Sequence, residues 1–206
     1  MSIKSAFAIL AALIGWVSLL LQLILFIDNR TVSAAMALVR FFTFFTILTN
    51  LLAASMFTAI ALTGAKPPPR LATPAAITAI AAYMTVVGII YNTVLRGIVQ
   101  LQGLNAILNE SLHVVLPIAT LLFWLIFVPK NGLQWSAAFT WLLYPFVYII
   151  WVIVFGAMTD FYPYPFTDVT ILGYPRAMIN GLVILAGFLA IFFIMIAAGR
   201  IRTRSV

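Results

Sequence analysis

A single histidine, His113, stands in a chain of 206 residues, so any acid-base chemistry it does depends on its neighbours. A hydroxyl is too weakly acidic to attack an ester unaided. An adjacent base must take its proton, and that base must be held in one tautomer. The stretch RFFTFFTILTNLL, residues 40–52, supplies hydroxyls at Thr43, Thr46 and Thr49 and the amide of Asn50 inside an otherwise apolar run. At helical spacing positions 43, 46 and 50 share one stripe, with Thr49 to one side. LNESLHVVLP, residues 108–117, sets Asn109 and Glu110 about one turn before His113 and Pro117 one turn after it. Pro117 has no N–H and its ring clashes with the carbonyl four residues back, so it is expected to free the His113 carbonyl and bend the helix. Ser111 is expected to point to another face of its helix, and Ser18 and Ser55 to lie in the inner halves of theirs. The residue types suit nucleophilic hydrolysis with a threonine in place of serine.

Composition bounds the alternatives. With 65% hydrophobic and 7% charged residues, the chain falls in the integral membrane class. The absence of cysteine excludes disulfides, zinc knuckles, iron-sulfur ligation and thiol nucleophiles. One histidine and four carboxylates leave no expected metal site and no expected cofactor. The net charge of +7 lies at the ends of apolar segments, as topology signals and anionic-lipid contacts, and nucleic acid is not an expected partner.

The elements that must position these groups are membrane spans. A helix needs about 20 apolar residues to cross the hydrocarbon. That ruler predicts six spans, near residues 6–27, 35–63, 75–95, 108–128, 136–158 and 177–198, forming an all-α polytopic domain over residues 1–206. Breakers separate them: DNRTVS, TGAKPPPR, RGIVQLQG, PKNG and DFYPYPFTDVTILGYPR. PPP at 67–69 reads as a stiff, extended turn. The first apolar run has no small-residue cleavage site before Asp28 and reads as a retained anchor.

Six spans put both termini on one face, with Lys4, Lys66, Arg70, Lys130, Arg200, Arg202 and Arg204. The other face carries Arg30, Arg40, Arg96 and Arg176 and all four acids, Asp28, Glu110, Asp160 and Asp168. The bias predicts cytoplasmic termini. At about 1.5 Å per residue, Thr46 and His113 then lie roughly 8–9 Å below the outer surface. Asn92 and Asn180 fall on the same level, while the inner halves are almost wholly apolar. A polar shelf of Arg40, Asn50, Asn92, Arg96, Asn109, Glu110 and Asn180 is expected around the pair. Asn50 or Asn92 would polarise an oxyanion, and Arg40 or Arg96 at the rim would hold a carboxylate.

The segments RFFTFFTILTNLL, YNTVLRG, LNESLHVVLP and YPYPF together resemble the bacterial six-transmembrane branch of the androgen-induced membrane protein family. The resemblance spans nearly the whole chain. It implies six passes, a bacterial inner (plasma) membrane, and an intramembrane hydrolase of long-chain fatty acyl esters such as fatty acid esters of hydroxy fatty acids. It further implies a Thr nucleophile on the second span and a His on the fourth. His113 matches directly. RFFTF would place the nucleophile at Thr43, whereas FTILTN and depth favour Thr46, with Thr43 as the alternative.

Two other readings use the same residues. Threonines in membrane helices often bond a carbonyl one turn back or glue helices together. A lipid-binding or transport protein would bind its ligand on the same shelf without cutting it, and calls for broken helices near the midplane, where only Tyr144-Pro145 fits.

Overall fold

A computed structural model describes residues 1–63, 69–98 and 100–203, with side chains through Arg200. Lys66, the first two residues of the PPP turn and Arg204 lie outside the described residues. Six helices are long and apolar enough to cross a membrane, as expected: Ile3–Asp28, Phe45–Thr63, Pro74–Leu95, Gly103–Phe127, Ala137–Thr159 and Val169–Arg200. Among the described residues the architecture is all-helical, and the chain is a multi-pass membrane protein by the length and apolarity of these helices.

Two compact units divide the chain, Met1–Lys130 and Asn131–Val206. The first contains α1 (Ile3–Asp28), α2 (Ala34–Phe42), α3 (Phe45–Thr63), α4 (Pro74–Ile90), α5 (Gly103–Glu110) and α6 (Leu116–Phe127). A wide π turn, Tyr91–Leu95, extends α4, and another, Ser111–Val115, joins α5 to α6 into one span. Side chains cap the helix starts: Ser33 Oγ accepts from Met36 N at 3.3 Å and Thr73 Oγ1 from Ala76 N at 3.3 Å, with Pro74 in the first turn. At the far end of α6 the buried Lys130 ammonium donates to the carbonyls of Trp124, Leu125 and Val128 at 3.0–3.2 Å. This cation serves as a helix C-cap.

Small residues let α1 and α3 approach closely. Ala8, Ala11, Ala12 and Gly15 of α1 and Ala53 and Ala54 of α3 are all buried. A Cβ at Gly15 would stand 3.0 Å from that of Ala54. Lipid gives helices no hydrophobic reason to associate, so close van der Waals contact of this kind is what holds them. Toward the end that carries the N-terminus of α1, Phe7, Phe57 and Phe123 pack ring to ring, with Phe57 edge-on to Phe123 at 5.3 Å.

The second predicted span differs from expectation. It breaks at Thr43 and Phe44 into α2 and α3. In a continuous helix the Thr43 N–H would bond to the Val39 carbonyl, but the Thr43 hydroxyl takes that carbonyl at 2.8 Å. The backbone N–H groups of Thr43 and Phe44 shift to Arg40 O and Phe41 O, three residues back, and the helix restarts at Phe45. The stripe of 43, 46 and 50 is therefore interrupted between its first two members. The fourth span also starts earlier than predicted, at Gly103 instead of 108, which puts His113 about 15 Å along it.

In the second unit α7 (Ala137–Thr159) continues through Pro145, and α8 (Val169–Thr203) is interrupted at Gly173, where φ is 71° and ψ 157°. That left-handed φ suits glycine. Between them Asp160 ends α7 with φ 55°, and Tyr162 lies so close to α7 that a Cβ on Gly156 would be 2.0 Å from its ring.

Candidate active site

The first unit brings three helix segments to one locus: the first turn of α3 with Thr46, the π turn after α4 headed by Tyr91, and the π turn Ser111–Val115 with His113. Thr46 is 6% exposed and its Oγ1 lies 3.2 Å from His113 Nε2. On the other side of the ring, Nδ1 lies 2.9 Å from the backbone carbonyl of Asn109. A carbonyl oxygen can only accept, so the proton of a neutral imidazole sits on Nδ1 and donates to Asn109. Nε2 is then bare, and the Thr46 hydroxyl donates to it. This is the tautomer a hydroxyl-activating base requires. The group that orients the histidine is thus a main-chain carbonyl one turn upstream.

The π turn and Pro117 act together on the backbone. Leu116 N reaches back five residues to Ser111 O. In that register the carbonyl of Leu112 would be served by residue 117, which is proline and has no N–H. Asn50 fills the gap: its Nδ2 donates to Leu112 O at 3.0 Å and to Thr46 O at 2.8 Å. The proline's missing N–H thus bears on Leu112 as well, one residue before the carbonyl that α-helical spacing predicts. Both N–H groups of Asn50 are consumed, so the expectation that it polarises an oxyanion does not fit this geometry. Its Oδ1 is buried, with no hydrogen-bond partner among the described residues.

Tyr91 is the side chain that sequence reasoning missed. Its ring stacks on the imidazole with centroids 4.4 Å apart and planes at 28°. Its hydroxyl donates to Glu110 Oε1 at 3.2 Å and accepts from Asn109 Nδ2 at 2.5 Å. Arg96 pairs with Glu110 at 2.9 Å and donates from Nε to Asn92 Oδ1 at 3.0 Å, while its guanidinium lies 4.9 Å from the Tyr91 centroid. The hydrogen bond that Arg96 donates to the Glu110 carboxylate raises its pKa above the already high ordinary value, so this cation is permanent. Asn92 donates to Gly88 O at 2.8 Å. Its position directly after Tyr91 was the available signal: the depth argument that selected Asn92 applies equally to Tyr91.

Four of the shelf residues, Asn92, Arg96, Asn109 and Glu110, form this connected network, and Asn50 braces the backbone beneath it. Arg40 lies in the last turn of α2. Thr43 is fully buried with its hydroxyl on Val39 O. Asn180 belongs to the second unit, where its amide donates to Phe166 O at 3.0 Å. Ser111 turns to α1, away from Thr46 as expected, and shares a hydrogen bond of 2.7 Å with Ser18; Ser18 therefore stands level with the π turn, and not deeper in its span as expected. Among the described residues no three histidine, cysteine, aspartate or glutamate side chains converge as a metal site would need. Compared with models of protein families, with curated proteins and with solved structures, the chain gives no match.

Proposed function

We propose that this protein is an intramembrane hydrolase of long-chain fatty acyl esters, with Thr46 as nucleophile and His113 as base. The observation that carries the reading is the placement of Thr46 Oγ1 3.2 Å from a ring nitrogen whose partner nitrogen is tied to a carbonyl. Thr46 Oγ attacks the ester carbonyl carbon as its proton passes to Nε2. The tetrahedral intermediate collapses with cleavage of the acyl C–O bond, and the imidazolium returns the proton to the leaving alkoxide, giving an alcohol and an acyl-threonine. Water then attacks the acyl-threonine, loses a proton to Nε2, and the acid departs as Thr46 recovers its hydrogen. The positive end of α3, which begins at Phe45, favours the negative charge that builds beside Thr46.

The substrate enters from lipid, with apolar helix faces accepting its acyl chains. We place both termini in the cytoplasm on the charge bias, and the site in the outer half of a bacterial plasma membrane. The committed amide protons of Asn50 favour the second reading, a pocket that binds lipid without cleaving it. Turnover of a long-chain ester of a hydroxy fatty acid by the purified protein separates the two. Thr46→Ala and His113→Ala should each lower the rate by about a thousandfold or more, and full activity in both variants overturns the hydrolase reading.

A further inference from the structure

Tyr91 takes no proton in the steps above, yet it stacks on His113 and bonds to Asn109 and Glu110 just before it. A histidine side chain is fixed by two torsions, and a half-turn of its ring exchanges nitrogen for carbon on both edges. Such a turn would carry Nδ1 away from Asn109 O and Nε2 away from Thr46. The Tyr91 ring, 4.4 Å from the imidazole and nearly parallel to it, occupies the space that such a turn sweeps. Its own rotation is blocked in turn. The phenol oxygen is held from two sides, accepting from Asn109 Nδ2 and donating to Glu110 Oε1, and both residues lie on the turn just before His113. Asn109 therefore contributes its carbonyl to the histidine and its side chain to the tyrosine that covers the histidine.

Arg96 closes the assembly. In the π turn its N–H bonds back five residues to Tyr91 O at 2.7 Å, where an α-helix would return residue 95. The wider turn brings the Arg96 guanidinium over the tyrosine ring and onto Glu110. Two π turns thus face each other across the His113–Tyr91 stack, each supplying one member of it.

Building on the hydrolase reading, we infer that Tyr91 is the positioning residue of His113: its ring fixes the imidazole plane, and its hydroxyl, gripped by Asn109 and Glu110, keeps Nδ1 protonated against Asn109 and Nε2 open to Thr46. The chain's single histidine makes the test direct. Full-length protein with isotope-labelled histidine in lipid nanodiscs gives one pair of imidazole nitrogen signals by NMR, and wild type should display a protonated Nδ1 and a bare Nε2. Tyr91→Leu should populate the opposite tautomer and lower kcat for the long-chain ester by about 10- to 100-fold, with KM changed by less than about threefold. Tyr91→Phe keeps the ring and loses both hydroxyl bonds; mixed tautomers and a kcat loss of about 3- to 10-fold are expected, and this variant decides if the leucine protein does not fold. A single Nδ1-protonated signal with unchanged kcat in the folded variants overturns the inference. The tautomer readout needs no substrate. A chain that cleaves no ester but changes tautomer in Tyr91→Phe sinks the hydrolase reading and leaves the positioning role, whereas loss of turnover on Thr46→Ala with indifference to both Tyr91 changes sinks the positioning role alone.

Discussion

The side-chain amide of Asn50 donates to the backbone carbonyl of Leu112 across 3.0 Å, linking α3 to the π turn that carries His113. The same nitrogen donates to the carbonyl of Thr46 at 2.8 Å. One fully buried side chain therefore ties the backbone of the proposed nucleophile to the backbone next to the proposed base. This tether joins the two backbones directly, in addition to the packing of their helices.

Asn50→Leu tests the tether. The leucine is near in volume but donates nothing, so Leu112 O is left buried and unsatisfied; in compensation the unpartnered Oδ1 of Asn50 is also removed. The net loss expected is about 1–3 kcal/mol of stability, read as a lowered unfolding midpoint in detergent. Turnover should fall more than the stability loss accounts for, because the helix register at Thr46 relaxes. An unchanged midpoint and rate would mean that the bridge contributes nothing.

Pro117→Ala supplies the N–H that the π turn lacks. The added donor competes with Asn50 for the Leu112 carbonyl or restores α-helical pairing to His113 O, and either change pulls Ser111–Val115 toward an ordinary helix. His113 then rotates relative to Thr46. Thermal stability is expected to hold or rise while ester turnover drops by about tenfold or more. Gly88 leaves room for this proline, since a Cβ there would meet Pro117 Cβ at 3.3 Å. Parallel loss of stability and activity would assign the proline a packing role only.

Much of this arrangement was legible in the residues. Length and apolarity gave the spans, and Thr46 meets His113 as expected, although the fourth span starts earlier than the depth count assumed. What escaped prediction arises from backbone departures that an ideal periodicity cannot carry. The Thr43 hydroxyl captures Val39 O and ends α2, so counting from 43 to 46 along one helix fails. Each π turn shifts the residues around it by about one position, which hid the approach of Arg96 to Tyr91 and extended the effect of Pro117 to Leu112. The Ser18–Ser111 bond joins residues on the first and fourth spans, which periodicity within a single helix cannot pair.

Tyr162, between α7 and α8, gives a pH prediction independent of the site. Its hydroxyl is buried, with no hydrogen-bond partner among the described residues, and burial first, then the charges of Tyr174, Asp168 and Asp160, push its pKa above the ordinary tyrosine value. The folded state therefore holds the phenol proton more tightly than the unfolded state. Stability linked to this group is complete below about pH 10, the ordinary value, and is lost as pH rises through the raised folded value. Tyr162→Phe should remove this alkaline loss from melting curves and leave neutral-pH stability equal or higher, because no hydrogen bond is sacrificed. An unaltered alkaline profile contradicts the assignment.

The central claim is that Thr46, and no other hydroxyl, is activated by His113. Its most direct test is labelling of the purified protein with a long-chain alkyl fluorophosphonate, followed by mass-spectrometric location of the adduct. The account predicts phosphonylation on Thr46, retained in Thr43→Ala, whose hydroxyl serves Val39 O, and abolished in His113→Ala. An adduct on Thr43 or Ser111, or labelling that survives loss of the imidazole, would contradict it.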